Sequence, residues 1–222
     1  ILRDLDVHIP QLKVRATVSR TQPISGGPDL CFWDGVLGVR RRADGGFTLA
    51  NGLSNTAPIT PDSFRFMTDY LPLLAMEWRH LSLTLGKDFL REWKDAAPKP
   101  FDQPSRYEAC RVLDPSPDLR FVRKSLAEFR RRFPSLGDVR ISQIWAGMID
   151  AMPDTIPVIS EVPDISGLVV ATGFSGHGFG VGPGAGKLVA DMVSGTKPFI
   201  DPHEFRIGRF TDGSKPRPFV GV

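Results

Sequence analysis

The sequence predicts an α+β fold: an antiparallel sheet with helices, followed by one strand, a glycine-rich turn and a last helix. Three observations predict it. Residues 12–21 alternate apolar and polar side chains. Residues 36–50 read as two strands around Asp44-Gly45-Gly46. Residues 167–193 pass from an apolar run through a dense glycine segment into a helical pattern.

In residues 12–21, Leu12, Val14, Ala16 and Val18 fall on one face, and Lys13, Arg15, Thr17 and Ser19 on the other. That two-residue period belongs to a half-buried strand. Residues 36–42 and 47–50 are two further strands, and Asp44-Gly45-Gly46 supplies the positive φ that a hairpin turn needs. Thr60-Pro61-Asp62 opens a helix: Thr60 can cap, Pro61 suits the first turn, and Asp62 complements the dipole. Phe64, Met67, Leu71, Leu74 and Trp78 follow at helical spacing, with Pro72 predicting a kink or split near Tyr70. Residues 95–118 carry five prolines and read mostly as loop.

A second helix is expected from Ser116-Pro117, with Leu119, Val122, Leu126, Phe129 and Phe133 as its apolar stripe. Its arginines and lysines read as a solvated face, because no aromatic platform or nucleic-acid motif accompanies them. Residues 138–149 form another strand-like run. Residues 167–172 make a continuous apolar run, as in a strand buried on both faces of a parallel sheet. Glycine then occupies every second position from 176 to 186, and Leu188, Val189, Met192 and Val193 continue helically until Gly195 and Pro198.

The chain has 222 residues and a formal charge of +3, which argues against a dedicated nucleic-acid binder. An apolar fraction of 41% supports a packed core. No run reaches the roughly 20 apolar residues of a membrane span. Cys31 and Cys110 form no paired motif, which predicts a reduced, cytoplasmic protein without a disulfide framework. No metal-ligand set is expected. Residue 1 is Ile, and the opening reads as the interior of a longer chain.

A glycine run of this density implies a backbone that approaches a ligand closely, presenting N–H groups and a helix N-terminus to an anion or polarised oxygen. Residues 180–185 fit the dinucleotide pattern G-x-G-x-x-A, but too little chain follows for a βαβ unit. A P-loop fails, since Val181 stands at the pattern's first glycine and Leu188 follows Lys187. A loop lining a large planar cofactor fits Phe174 and Phe179 beside the glycines; a tight structural turn stays open.

Residues 167–195 resemble the C-terminal signature of the D-amino-acid oxidase-like flavoproteins, which include sarcosine oxidase, glycine oxidase and D-amino-acid dehydrogenase. The wording G-F-S-G-H-G-F at 173–179 is of the sarcosine-oxidase type. Trp145-Ala146-Gly147, then Met152-Pro153-Asp154 and Pro157-Val158-Ile159, resemble the family's W-x-G … T-P-D-x-x-P block. The resemblance implies a substrate domain at 1–165 and the C-terminal part of a Rossmann-like FAD domain at 166–222. It implies FAD, held non-covalently, because Gly147 falls where sarcosine oxidases carry the linking Cys. The N-terminal Rossmann half is then a partner, in the same gene or as a separate chain, and oligomers are possible.

The implied reaction moves hydride from the carbon beside an amine to flavin N5, and the imine hydrolyses. Amide groups of 178–180 and the last helix's dipole are placed to stabilise charge near flavin N1 and O2. Cofactor contacts are implied for Gly147, Gly173, Phe174, Ser175, Gly176, His177, Gly178, Phe179 and Gly180. His177 has two open roles, polar contact with flavin or substrate, or a brace for the loop. Ile149 and Asp150 stand where some relatives place a carboxylate-binding Arg; Asp150 would favour a cationic substrate group if it faces the site, and is otherwise an exposed or capping residue. Arg40, Arg41 and Arg42 are alternative carboxylate binders, with Arg40 and Arg42 on one face and Arg41 on the other, so not all three can point inward. Thr48 stands where sarcosine oxidases carry an oxygen-activating Lys, which leans toward a dehydrogenase. The alternative function is a non-catalytic subunit or scaffold that retains the fold.

Overall fold

The computed structural model describes residues 2–52, 55–78, 81–95, 102–104 and 106–218. Its centre is β1 (Leu12–Thr21), the strand predicted from the alternation. Along one edge of β1 runs β7 (Ile141–Ala151), antiparallel from Leu12 opposite Ala151 to Ser19 opposite Ile144. The other edge is shared by β4 (Phe47–Asn51) and β5 (Asn55–Pro58). β3 (Leu37–Arg41) pairs with β4, and β2 (Cys31–Trp33) with β3. β6 (Leu81–Thr84) joins β5 in parallel, the one parallel pair of the seven-stranded sheet. Gly45 takes φ +85° in the β3–β4 turn, as the Asp-Gly-Gly sequence requires.

The helical segment from Pro61 splits at Phe66 instead of Tyr70. α1 (Pro61–Arg65) ends there and α2 (Met67–Glu77) begins, with Pro72 inside α2. Phe66 leaves the helical region at φ −103°, ψ 16°, so the break precedes the proline by six residues. α3 (Lys87–Asp95) packs Phe89 edge-on against Phe64, at 6.4 Å. α4 (Arg106–Ala109) is one short turn inside the proline-rich stretch, part of which lies outside the described residues.

α5 (Leu119–Arg132) starts after its cap Asp118, two residues beyond Ser116-Pro117, and lies across the sheet. Phe121, Val122, Ser125 and Phe129 are its buried residues, so its inner face is turned slightly from the predicted stripe, and Leu119 is exposed. Phe129 stacks on Phe47 at 5.0 Å, and both join Leu37, Val39, Leu49 and Val139 in the main core.

This packing reverses the sense of the alternation in β1. Thr17, Ser19 and Thr21 are the buried face, and Val14, Ala16 and Val18 are only half-buried. Two of these hydroxyls are paired with backbone groups, while the buried Ser19 Oγ has no hydrogen-bond partner among the described residues. Thr17 Oγ1 accepts the Asp118 N–H at 2.9 Å, and Thr21 Oγ1 accepts the Phe47 N–H at 2.9 Å.

A second core unites the N-terminal residues Val7 and Ile9 with Met152, Val158, Val162, Val170 and Phe210. Here β8 (Val158–Glu161) pairs with β9 (Val169–Thr172). β9 is antiparallel to β8, with Ala171 exposed, so it is not a strand covered on both sides by parallel neighbours within the described residues. The buried Arg209 binds both carboxylate oxygens of the buried Asp154, at 2.7 and 3.2 Å, and donates to the Ile156 carbonyl at 2.7 Å. This fork anchors the C-terminal segment to the Met152-Pro153-Asp154 turn.

α6 (Gly178–Val193) begins much earlier than the apolar spacing suggests. The alternate glycines at 178, 180, 182, 184 and 186 are helical, and Pro183 lies within the helix. A Cβ at Gly180, Gly182, Gly184 or Gly186 would meet nothing within 4 Å. Each helical glycine costs roughly 1 kcal/mol against alanine, so their number is not a local helix preference. Among the described residues, no helix is long and apolar enough to cross a membrane.

Candidate active site

The turn between β9 and α6 is held from below by Asp150. Its Oδ2 accepts the N–H of Gly173 at 2.8 Å and of Phe174 at 3.2 Å. Gln11 Nε2 donates to the same oxygen at 3.2 Å and to Thr172 Oγ1 at 3.1 Å. On the other side, Ser175 Oγ accepts the Met152 N–H at 3.0 Å. Gly173 takes φ +75°, and a Cβ there would lie 2.5 Å from the Met152 side chain. Ser175 itself holds φ 50°, an unusual value for a residue with a side chain, stabilised by its hydroxyl's bonds.

The turn lies over one end of the open sheet face. A Cβ on Gly176 would contact Ile149 at 3.7 Å. Directly paired residues share a face, so the registers define that surface row by row. Val14 lies beside Ile149, Ala16 beside Gly147, and Val18 between Trp145 and Ala50. Arg20 lies between Gln143 and Thr48, and Arg40 is beyond Thr48. At Gly147 a Cβ would meet nothing within 4 Å.

The sequence-derived candidates fall into two groups. Gly147, Thr48 and Arg40 share the open face. Gly173, Phe174, Ser175, Gly176, His177, Gly178, Phe179 and Gly180 form the turn and the start of α6. Asp150 belongs to neither group: it pairs with Lys13, on the opposite side from Gly147, and its carboxylate is engaged by the turn. His177 is the residue before α6 and offers no side-chain cap to Gly178 or Phe179, while its carbonyl accepts the Gly180 N–H at 3.0 Å. Phe174 packs beside Gly178, and Phe179 is fully exposed.

Three supporting residues carry no sequence signal for their roles. Gln11 follows Pro10 in an unpatterned segment. Arg209 sits in the tail, and its partner is 55 residues away. Tyr70 stands where the nearby proline predicts a helix break. Its hydroxyl accepts the Leu12 N–H at 3.1 Å and faces the carbonyls of Pro10 and Ala151. Burial pushes its phenol far above the ordinary range, so it stays a neutral donor at the end of β7. Among the described residues, no cluster of His, Cys, Asp and Glu could hold a metal.

The FAD dependent oxidoreductase family matches residues 2–192, and the chain belongs to that family. It is 38% identical over 81 residues to a glycine oxidase from Pseudomonas aeruginosa, covering 36% of this chain and 21% of that protein. It is 37% identical over 82 residues to a D-amino acid dehydrogenase from Paramagnetospirillum magneticum, covering 37% and 19%. Among solved structures, it resembles the L-amino acid deaminase from Proteus vulgaris, with a TM-score of 0.87 at 28% identity. That likeness covers 94% of this chain and 48% of the deaminase. The chain thus spans about half the length of that solved relative.

Proposed function

We propose that this chain forms the substrate-facing part of an FAD-dependent oxidoreductase of amines or amino acids, together with the turn that meets the flavin ring. The observation that carries the proposal is the Asp150-braced turn that meets the open face at Ile149 and opens into a helix without a side-chain cap. The residues fit the cofactor. Gly147 leaves open space above the sheet where a side chain would obstruct a broad ring. It also offers no atom for a covalent bond, in keeping with non-covalent FAD.

When bound, the flavin would supply a two-electron acceptor for the hydride that leaves the carbon beside the amine nitrogen. The chain's own part is positional and electrostatic. The amides of Gly178 and Phe179 and the N-terminal end of α6 would stabilise anionic charge on a ring held at the turn, while the Gly180 N–H is taken by the His177 carbonyl at 3.0 Å. Val14, Val18, Trp145 and Ile149 give an apolar ceiling that excludes water from the reacting carbon. The turn's fixed backbone, braced by Asp150 and Ser175, keeps those donors in place.

In this reading, β9, the turn and α6 are the C-terminal strand–turn–helix of a Rossmann-like FAD domain. The ADP half of FAD then requires a Rossmann unit beyond these 222 residues, in the same gene or as a separate chain. The glycine face of α6, and the exposed Phe179 and Val181, support a surface made to receive it. The names of the relatives, oxidases and dehydrogenases of amino acids, support the substrate class.

Co-expression with the Rossmann segment should yield a yellow protein with flavin absorbance that bleaches when an oxidisable amine or amino acid is added. A folded but colourless complex would favour a non-catalytic subunit instead.

A further inference from the structure

At the end of the open face farthest from the turn, three arginines share one face with a threonine hydroxyl. The register sets Arg20, Thr48 and Arg40 side by side across β1, β4 and β3. Arg42, just beyond β3, reaches the same point and donates from Nη1 to Thr48 Oγ1 at 3.4 Å. Arg41 takes the other face, lying over the Phe47 ring at 4.6 Å. Asp44 pairs with Arg42 at 3.2 Å and also attracts Arg20 electrostatically, so it offsets part of the cluster's charge. Arg20 and Arg40 have no hydrogen-bond or ion-pair partner among the described residues, and Arg20 Nε is shut off from solvent. A buried N–H without an acceptor is costly, and two guanidinium forks beside a hydroxyl match an oxyanion.

The same strand relates this cluster to the proposed flavin position. From Ala16 to Arg20 is four residues, about 13 Å. Between them lies the apolar row of Val18, Trp145 and Ala50. An arginine side chain reaching back and a short methylene chain reaching forward close such a gap together. We propose that Arg20, Arg40 and Thr48 form a carboxylate-binding site for substrates that carry a carboxylate remote from the oxidised C–N bond: dicarboxylic amino acids or carboxyalkyl amines. The assignment of this anion to a substrate rests on the flavoenzyme reading above. The anion site itself does not.

The test has two arms. The purified protein is titrated calorimetrically with glutarate as the probe, with uncharged glutaramide and inorganic phosphate alongside. Glutarate is expected to bind, and glutaramide is not. Arg20→Gln and Arg40→Gln should each weaken glutarate binding by about tenfold or more. Arg123→Gln, on the exposed side of α5, removes the same charge and should leave binding unchanged. No glutarate binding, equal weakening by Arg123→Gln, or phosphate binding tighter than glutarate would overturn the site. Thermal melts of each variant separate loss of the site from loss of fold. In the second arm, on the yellow assembled enzyme, both enantiomers of glutamate and glutamine are compared. A lower KM for glutamate than for glutamine that Arg40→Gln abolishes and Arg123→Gln preserves supports the substrate role; equal KM values for the two reject it. A colourless assembly defeats the flavoenzyme reading, and the titration still decides the anion site on its own.

Discussion

The two faces of the seven-stranded sheet are built on opposite plans. The face under α5 holds Leu37, Val39, Phe47 and Leu49 with the hydroxyls of Thr17, Ser19 and Thr21, and all are buried. The open face holds Val14, Ala16, Val18 and Gly147, with Arg20, Thr48 and Arg40 at its far end. Judged by β1 alone, the greasier side is the one left uncovered. Apolar residues on an ordered sheet therefore need not mark its core. Here they mark the surface where a second body, cofactor and substrate, is proposed to lie.

That contrast gives the largest expected effect. Phe129→Ala empties the centre of the covered face and should cost about 3–5 kcal/mol in urea unfolding. Val18→Ala on the open face should cost about 1 kcal/mol or less. Similar losses at the two positions would mean that the open face is as much a core as the other.

Asp150→Ala sharpens the comparison at the rim of the open face. It leaves the amides of Gly173 and Phe174 without their acceptor, for a loss of about 1–3 kcal/mol. In the assembled protein it should also weaken flavin retention, read as free flavin after gel filtration. Retention equal to the parent protein would show that the turn does not depend on this carboxylate. Tyr70→Phe removes one hydroxyl shared by Pro10, Leu12 and Ala151, and should cost about 1 kcal/mol in the same urea assay.

The smallest effect is electrostatic and sits at the edge of the covered face. Arg132 and the amides of Leu37 and Val36 hold Asp34 at about 2, below its ordinary 3.8. Arg131 and then Arg132 hold Glu128 at about 2, below 4.5. Carboxylates with lowered values stabilise the fold above their unfolded pKa, and that contribution fades as pH falls from about 4.5 to 2. Asp34 is exposed and Glu128 is half-buried beside the exposed Arg131, so the effect is modest. Asp34→Asn should flatten the acid limb of a thermal melt across that window; an unchanged limb would show that solvent screens the pair fully.

The limits of local reading are clearest at three places. In β1 the strand's bounds were legible and its buried side was not, because Asp118 and Phe47 donate to hydroxyls from distant chain positions. At Asp150 the sequence offers a charge beside a motif, but the two amides it receives lie 23 and 24 residues away. In α6 the glycines read as loop because each lowers helix propensity, while their open, side-chain-free surface is visible only once the helix is wound. The family block at 145–154 and 173–179 was readable, since its residues are specific and close in sequence.

Local spacing was thus enough for the periods: strands at 12–21 and in the hairpin, and a helix expected from Ser116-Pro117 that begins at Leu119; the family likeness came from the motifs at 145–195. These depend on neighbours within a few residues, where backbone geometry and turn chemistry dominate. Which face of the sheet α5 covers, which acceptor steadies the turn, and which arginines stand together unpaired emerged only from the folded chain. Those depend on groups brought from far along the sequence, and a period of two has no preferred sign until something packs against one side.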